Sequence, residues 1–78
     1  MVPENRTKLR EIFTIVFSLS EDEVDGYRKI ASRKWDSLAT VTLIAALESE
    51  FSILIDESVY ESFTSFEAVE LALENIGL

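Results

Sequence analysis

Three separate stretches of this chain place apolar residues at three- and four-residue steps, and that period belongs to the α-helix. In the first, Leu9, Ile12, Phe13, Val16 and Phe17 form one stripe, with Arg6, Lys8, Arg10 and Glu11 mostly off it. Pro3 suits the opening turn of such a helix, because the N–H it lacks would have no partner there. The helix is expected to end near Phe17 or Ser18. The second stretch runs from about residue 37 to residue 51, where Leu38, Leu43, Leu47 and Phe51 are expected to share a buried face, with Val41 and Ile44 at its margins. In the third, Phe66, Val69, Leu73 and Ile76 repeat the pattern. Thr64 with Glu67 offers a capping box for its start, and Gly77 a terminator for its end.

Nothing between these stretches supplies a sheet. Residues 52–58, "SILIDES", form a short extended passage with Ile53 and Ile55 on one side, but no second strand exists to pair with it. Residues 57–63 read as one or two helical turns. Residues 18–36 show no sustained period and contain Gly26. A connection that long inside a compact domain is either functional or carries a small helix of its own. Ser20 and Glu23 provide a capping box for such a turn, which Val24, Tyr27 and Ile30 are expected to pin to the core. The expected fold is all-α: a small bundle of three main helices plus one short helix, with a long first loop and residues 1–78 forming a single domain.

A bundle of this size must hold itself together by packing alone. A chain of 78 residues buries only roughly 60 to 65 per cent of the surface its unfolded form exposes. There is no cysteine for a disulfide, and neither cysteine nor histidine for a structural zinc. The same absences narrow the chemistry. Histidine takes with it the usual general base at neutral pH, and cysteine the softest metal ligand and the most reactive nucleophile. Gly26 and Gly77 are the only glycines, so no glycine-rich phosphate loop exists. The acidic residues 21–25 lack the spacing and terminal glutamate of a calcium loop. No enzyme is expected; the chain binds something or carries something.

Fifteen acidic and seven basic side chains give a net charge of −8. That charge repels nucleic acid and anionic membrane surfaces and favours partners with basic patches. No apolar run reaches the length of a membrane span, and the first residues lack a signal-peptide pattern. A cytoplasmic monomer is the expectation.

The stretch that stands out is Trp35-Asp36-Ser37-Leu38, at the start of the second helix. Asp36 is a good N-cap, since its carboxylate accepts from an orphan backbone N–H and sits at the positive end of the helix dipole. Ser37, at the first helical position, has an exposed hydroxyl, and a phosphate ester there would face unpaired N–H groups. Leu38 is expected to anchor the helix start in the core and fix the direction of the serine. On the tripeptide alone, structural capping is the better reading of these residues.

The wider context is more specific. "WDSLATVTLIAALESEFSILI" resembles the segment around the modified serine of acyl carrier proteins. The matching pieces are Asp36-Ser37-Leu38, Ala46-Leu47-Glu48-Ser49-Glu50-Phe51 and Ile53-Leu54-Ile55. Helix order, the long first loop, the short third helix and the chain length also match, so the resemblance covers nearly the whole chain. It implies a small helical carrier, itself a substrate, whose Ser37 receives 4'-phosphopantetheine from coenzyme A through a magnesium-dependent phosphopantetheinyl transferase. The thiol of that arm would hold acyl groups as thioesters and present them to acyl-activating, acyltransferase or synthase enzymes of fatty-acid-like, polyketide or other specialised lipid biosynthesis. Asp36 and Leu38 would be its recognition neighbours. Asp36, Ala39, Thr42, Glu48 and Glu50 would lie on the docking face.

Two departures qualify the likeness. Lys34-Trp35 stands where fatty-acid carriers usually have a glycine shortly before the motif. Ala39 and Thr42 occupy two positions that are usually acidic. A less acidic face would weaken docking to general enzymes and suit other partners. Trp35 is either shared with discrete carriers of specialised pathways or a core plug closing the long loop. An aminoacyl or peptidyl carrier, and an unmodified acidic interaction module on the same fold, are the alternative readings.

Overall fold

The computed structural model describes residues 1–78 and folds them into four α-helices: α1 (Pro3–Phe17), α2 (Glu21–Val24), α3 (Ser37–Phe51) and α4 (Phe66–Asn75). Two 3₁₀ segments, Lys29–Ala31 and Glu57–Ser62, lie between them. The only extended pairing is an isolated antiparallel bridge between Arg28 and Ser65, so the expected all-α bundle is the observed one. The short helix and the first 3₁₀ segment both sit inside the long connection between α1 and α3.

α1 buries Leu9, Ile12, Phe13 and Phe17, which is the stripe its spacing dictates. Both α1 and α3 end at a serine in the left-handed region, Ser18 and Ser52, each with φ of 54°. Each donates its N–H back into the helix, to the carbonyls of Thr14 and Glu48. In α2 the Ser20–Glu23 pairing forms. The Glu23 carboxylate accepts the Ser20 N–H at 3.0 Å and the Ser20 hydroxyl at 2.8 Å, and these bonds hold the carboxyl below the ordinary glutamate value.

Four details differ from the sequence expectation. The cap of α4 is Ser65, whose hydroxyl accepts from Ala68 N–H at 2.9 Å, and not Thr64. Thr64 instead gives its carbonyl to Lys29 N–H at 2.8 Å, so the chain turns into the helix one residue later. Ile30 is 88% exposed and does not pin the long loop. Val24 is buried and Tyr27 half-buried, and Trp35 fills the space instead. Ile76 lies beyond the last turn of α4 and is largely exposed, while Gly77 adopts a φ of 103° suited to its terminating place.

The fourth difference concerns the phase of α3. Its buried residues are Thr40, Leu43, Ile44 and Leu47, with Phe51 half-buried. Leu38 is 74% exposed and Val41 is exposed as well. At 3.6 residues per turn, Leu38 lies about 140° around the helix from Leu43, so both cannot face α1. Thr40, one turn before Leu43 and Ile44, takes the core position expected of Leu38.

α1 packs against α3, α2 and α4, and α4 packs against the second 3₁₀ segment. Aromatic rings fill the end of the core nearest the long loop. Phe13 meets Phe66 edge-on at 5.1 Å, Phe17 lies 4.8 Å from Trp35, and Tyr27 stacks on Trp35 with an interplanar angle of 17°. Such contacts add to plain burial.

Candidate functional site

The long loop is fixed at both of its ends, and this sets where α3 begins. At the near end, Arg10 of α1 bonds to the Asp25 carboxylate and to the Glu21 carbonyl. At the far end, Trp35 is buried with 3% of its surface exposed. Its indole N–H donates to Thr40 Oγ1 at 3.0 Å, and Thr40 donates to the Asp36 carbonyl at 3.2 Å. The tryptophan is therefore a core plug, and it ties the last loop residues to the first turn of α3.

Asp36 caps that turn. Its carboxylate accepts Ala39 N–H at 2.8 Å from an extended backbone. Ser37 follows as the first helical residue. It is exposed, and no partner inside the protein engages its hydroxyl. It opens onto a shallow depression of ≈ 250 Å³ shared with Lys29, Thr40, Val41, Tyr60 and Glu61. Lys29 comes from the first 3₁₀ segment, Tyr60 and Glu61 from the second. The depression thus lies where three elements meet, with a cation, an apolar side chain, a phenol and a carboxylate around one free hydroxyl.

The remaining sequence-derived candidates have different surroundings. Leu38 and Thr42 are exposed and Ala39 is half-buried. Thr42 donates its hydroxyl to the Leu38 carbonyl at 3.0 Å. Leu38 does not anchor the helix start, as its exposure shows. Glu48 turns its carboxylate inward to accept Ile55 N–H at 2.8 Å, which holds the passage after α3 against the helix. Glu50 remains exposed and lies 3.9 Å from Lys8. Asp36 and Ser37 therefore stand together at the helix start, while Glu48 and Glu50 lie at the other end of α3. Lys29, Tyr60 and Glu61 gave no signal in the sequence, because only folding brings the two 3₁₀ segments to the serine.

Charge is unevenly distributed around this site. Arg6, Lys8 and Arg10, on α1, all pair with carboxylates. Arg28, Lys29, Arg33 and Lys34, on the long loop, make no ion pair, although Lys34 Nζ donates to the Phe17 carbonyl at 3.2 Å. The cations left without a carboxylate therefore all lie on the loop that leads into Ser37. No group of histidine, cysteine, aspartate or glutamate side chains is arranged to hold a metal ion.

The fold thus holds out Ser37 at a capped helix start within a small helical bundle. Comparison with known proteins gives the family. The chain is 38% identical over 74 residues, 94% of its length, to acyl carrier protein 3, a chloroplastic protein of Cuphea lanceolata. It is 33% identical over 66 residues, 83% of its length, to acyl carrier protein 2, a chloroplastic protein of Spinacia oleracea. The chain belongs to the acyl carrier protein family. It spans about half the length of these relatives. No family model matches it, and no solved structure matches it significantly.

Proposed function

We propose that residues 1–78 act as one non-catalytic carrier domain, in which Ser37 is the attachment point of a 4'-phosphopantetheine arm. The observation that carries this reading is the exposed, unengaged Ser37 hydroxyl at the first position of α3, next to the Asp36 cap. The residues fit the group. A phosphodiester on Ser37 would face the free N–H groups of the first turn, where an anion is stabilised by roughly 0.3–1 kcal/mol. The depression gives the substituent room on one side.

In the attachment reaction, Ser37 Oγ would form a bond to the phosphorus nearest the pantetheine in coenzyme A, and the diphosphate bond would break to release adenosine 3',5'-bisphosphate. The serine proton would pass to a base of the separate transferase. The chain's own part is to present the hydroxyl. Asp36 fixes the first turn through Ala39 N–H, and Trp35 and Thr40 hold the loop that precedes it. When bound, the arm supplies the thiol that the protein lacks, on which an acyl group is carried as a thioester.

The docking face would be α3. Exposed Leu38, Val41 and Thr42 follow Ser37 there, and Glu50 is the exposed acid at its far end. A face this apolar favours a dedicated partner in specialised lipid or polyketide-like synthesis over enzymes that dock by charge alone.

The test is co-expression with a broad-range phosphopantetheinyl transferase, followed by intact-mass measurement. One arm's mass should appear on the wild type and be absent from Ser37→Ala. No gain on the wild type would leave the unmodified interaction module as the better reading, and an equal gain on the variant would overturn Ser37 as the attachment point.

A further inference from the structure

We propose that a basic groove on the loop between α2 and α3 docks an acidic segment of a partner protein, one that carries an apolar side chain between carboxylates. This goes beyond the carrier reading and does not depend on Ser37. Four of the chain's seven cations, Arg28, Lys29, Arg33 and Lys34, fall within seven residues that contain no acid. All four are exposed and none is in an ion pair, whereas Arg6, Lys8 and Arg10 of α1 each have a carboxylate. Among them stands Ile30, 88% exposed and left out of the core. Arg28, Lys29 and Ile30 line, with Trp35, Thr64 and Ser65, an open groove of ≈ 560 Å³ that has no acidic residue in its wall. Of these six residues only Lys29 also borders the depression beside Ser37.

The groove is fixed from the backbone. Lys29 N–H donates to the Thr64 carbonyl at 2.8 Å and Phe66 N–H to the Tyr27 carbonyl at 3.0 Å, on either side of the Arg28–Ser65 bridge. The N–H groups of Ala31 and Ser32 return to the carbonyls of Arg28 and Lys29. Walls already ordered reduce what a partner must spend on ordering them. Arginine takes a carboxylate through paired hydrogen bonds, and clustered cations are a recurring way to read acidic segments. Ile30 adds an apolar contact that a free inorganic anion does not use. The surroundings select a narrow occupant. Glu67 lines the next depression, which shares Arg28 and Ser65 with the groove, and Glu61 shares a depression with Lys29. A flat anionic membrane would be pressed onto those carboxylates, and a length of chain lying in the groove would not. The net charge of −8 opposes the approach only at long range, because exposed charges are screened within about 8 Å at physiological ionic strength.

The test is titration of nitrogen-15-labelled protein with the end-blocked peptide Glu-Glu-Phe-Glu-Glu, read from the amide resonances. Shifts should centre on residues 28–34 and 64–65 and should shrink as sodium chloride is added. The same peptide with glutamine for each glutamate should not bind. Arg28→Gln should weaken binding by about two- to fivefold, the loss expected for one exposed ion pair. Ile30→Ser should weaken it with every charge in place. Lys8→Gln, on α1, and Ser37→Ala should bind as the wild type does, and the latter keeps this site separate from attachment of the arm. No shifts, shifts centred elsewhere, or unchanged binding by Arg28→Gln would overturn the proposal. Sedimentation with phosphatidylglycerol vesicles that is lost in Arg28→Gln would overturn it in favour of a membrane contact. Self-association that grows with concentration and is lost in Arg28→Gln would overturn it in favour of a second copy of this chain. Arg28 and Ile30 are both exposed, so their variants should fold.

Discussion

Thr40 is the residue whose role is most out of proportion to its appearance. It is the one buried polar side chain, and its hydroxyl accepts from the Trp35 indole while donating to the Asp36 carbonyl. Thr40→Val keeps the shape but leaves a buried indole N–H without a partner, which costs about 1–3 kcal/mol. Urea unfolding followed by circular dichroism should show that loss, and Thr40→Ser should recover most of it. An unchanged midpoint in the valine variant would mean that the hydrogen bond contributes nothing net. The plug role of Trp35 was one of two readings open from the residue type and its place at the end of a long loop. Its partner was not legible. A threonine in a helix reads as a mildly unfavourable residue, and only the bend of the loop brings the indole onto it.

Helix phase decides how the elements meet. The apolar spacing gave the existence and ends of α1 and α3, because fifteen residues with a clear stripe leave little choice. In α3 the number of aliphatic side chains exceeds what one face can bury, and the stripe read through Leu38, Leu43, Leu47 and Phe51 set the phase wrongly at Leu38. Packing against α1 resolves it in favour of Thr40, Leu43, Ile44 and Leu47. Leu47→Ala should therefore cost about 2–5 kcal/mol in chemical denaturation. Leu38→Ala, also a leucine of the same helix, should stay within about 0.5 kcal/mol of the wild type. A large loss at Leu38 would place it in the core after all. The same ambiguity explains the start of α4. Thr64 and Ser65 are both able caps, and the choice falls to Ser65 because the backbone pairing with Lys29 and Arg28 fixes where the chain turns. The part of the candidate site on α3 was visible in its sequence. The part built from the two 3₁₀ segments was not, since neither has a period and their meeting is a tertiary event.

For the whole molecule, the balance is between close packing and self-repulsion. The Cα radius of gyration is 11.3 Å, close to the roughly 11.5 Å that a compact domain of this length should have. Eight excess negative charges are confined in that volume, and four of the seven cations sit on one loop without ion pairs. Added sodium chloride should therefore raise the melting temperature, by about 4–8 °C for each kcal/mol of repulsion relieved. A melting temperature independent of salt would show that the charges are already far enough apart not to matter. Trp35 adds a practical consequence at this scale. It is the chain's single tryptophan, and its indole sits inside the aromatic cluster, bonded to the first turn of α3 two residues before Ser37. Fluorescence from this protein is thus a one-site gauge of the joint between loop and helix. Any loosening of that joint, by a variant, by acid or by a bound enzyme, would be readable as a shift of a single emission band.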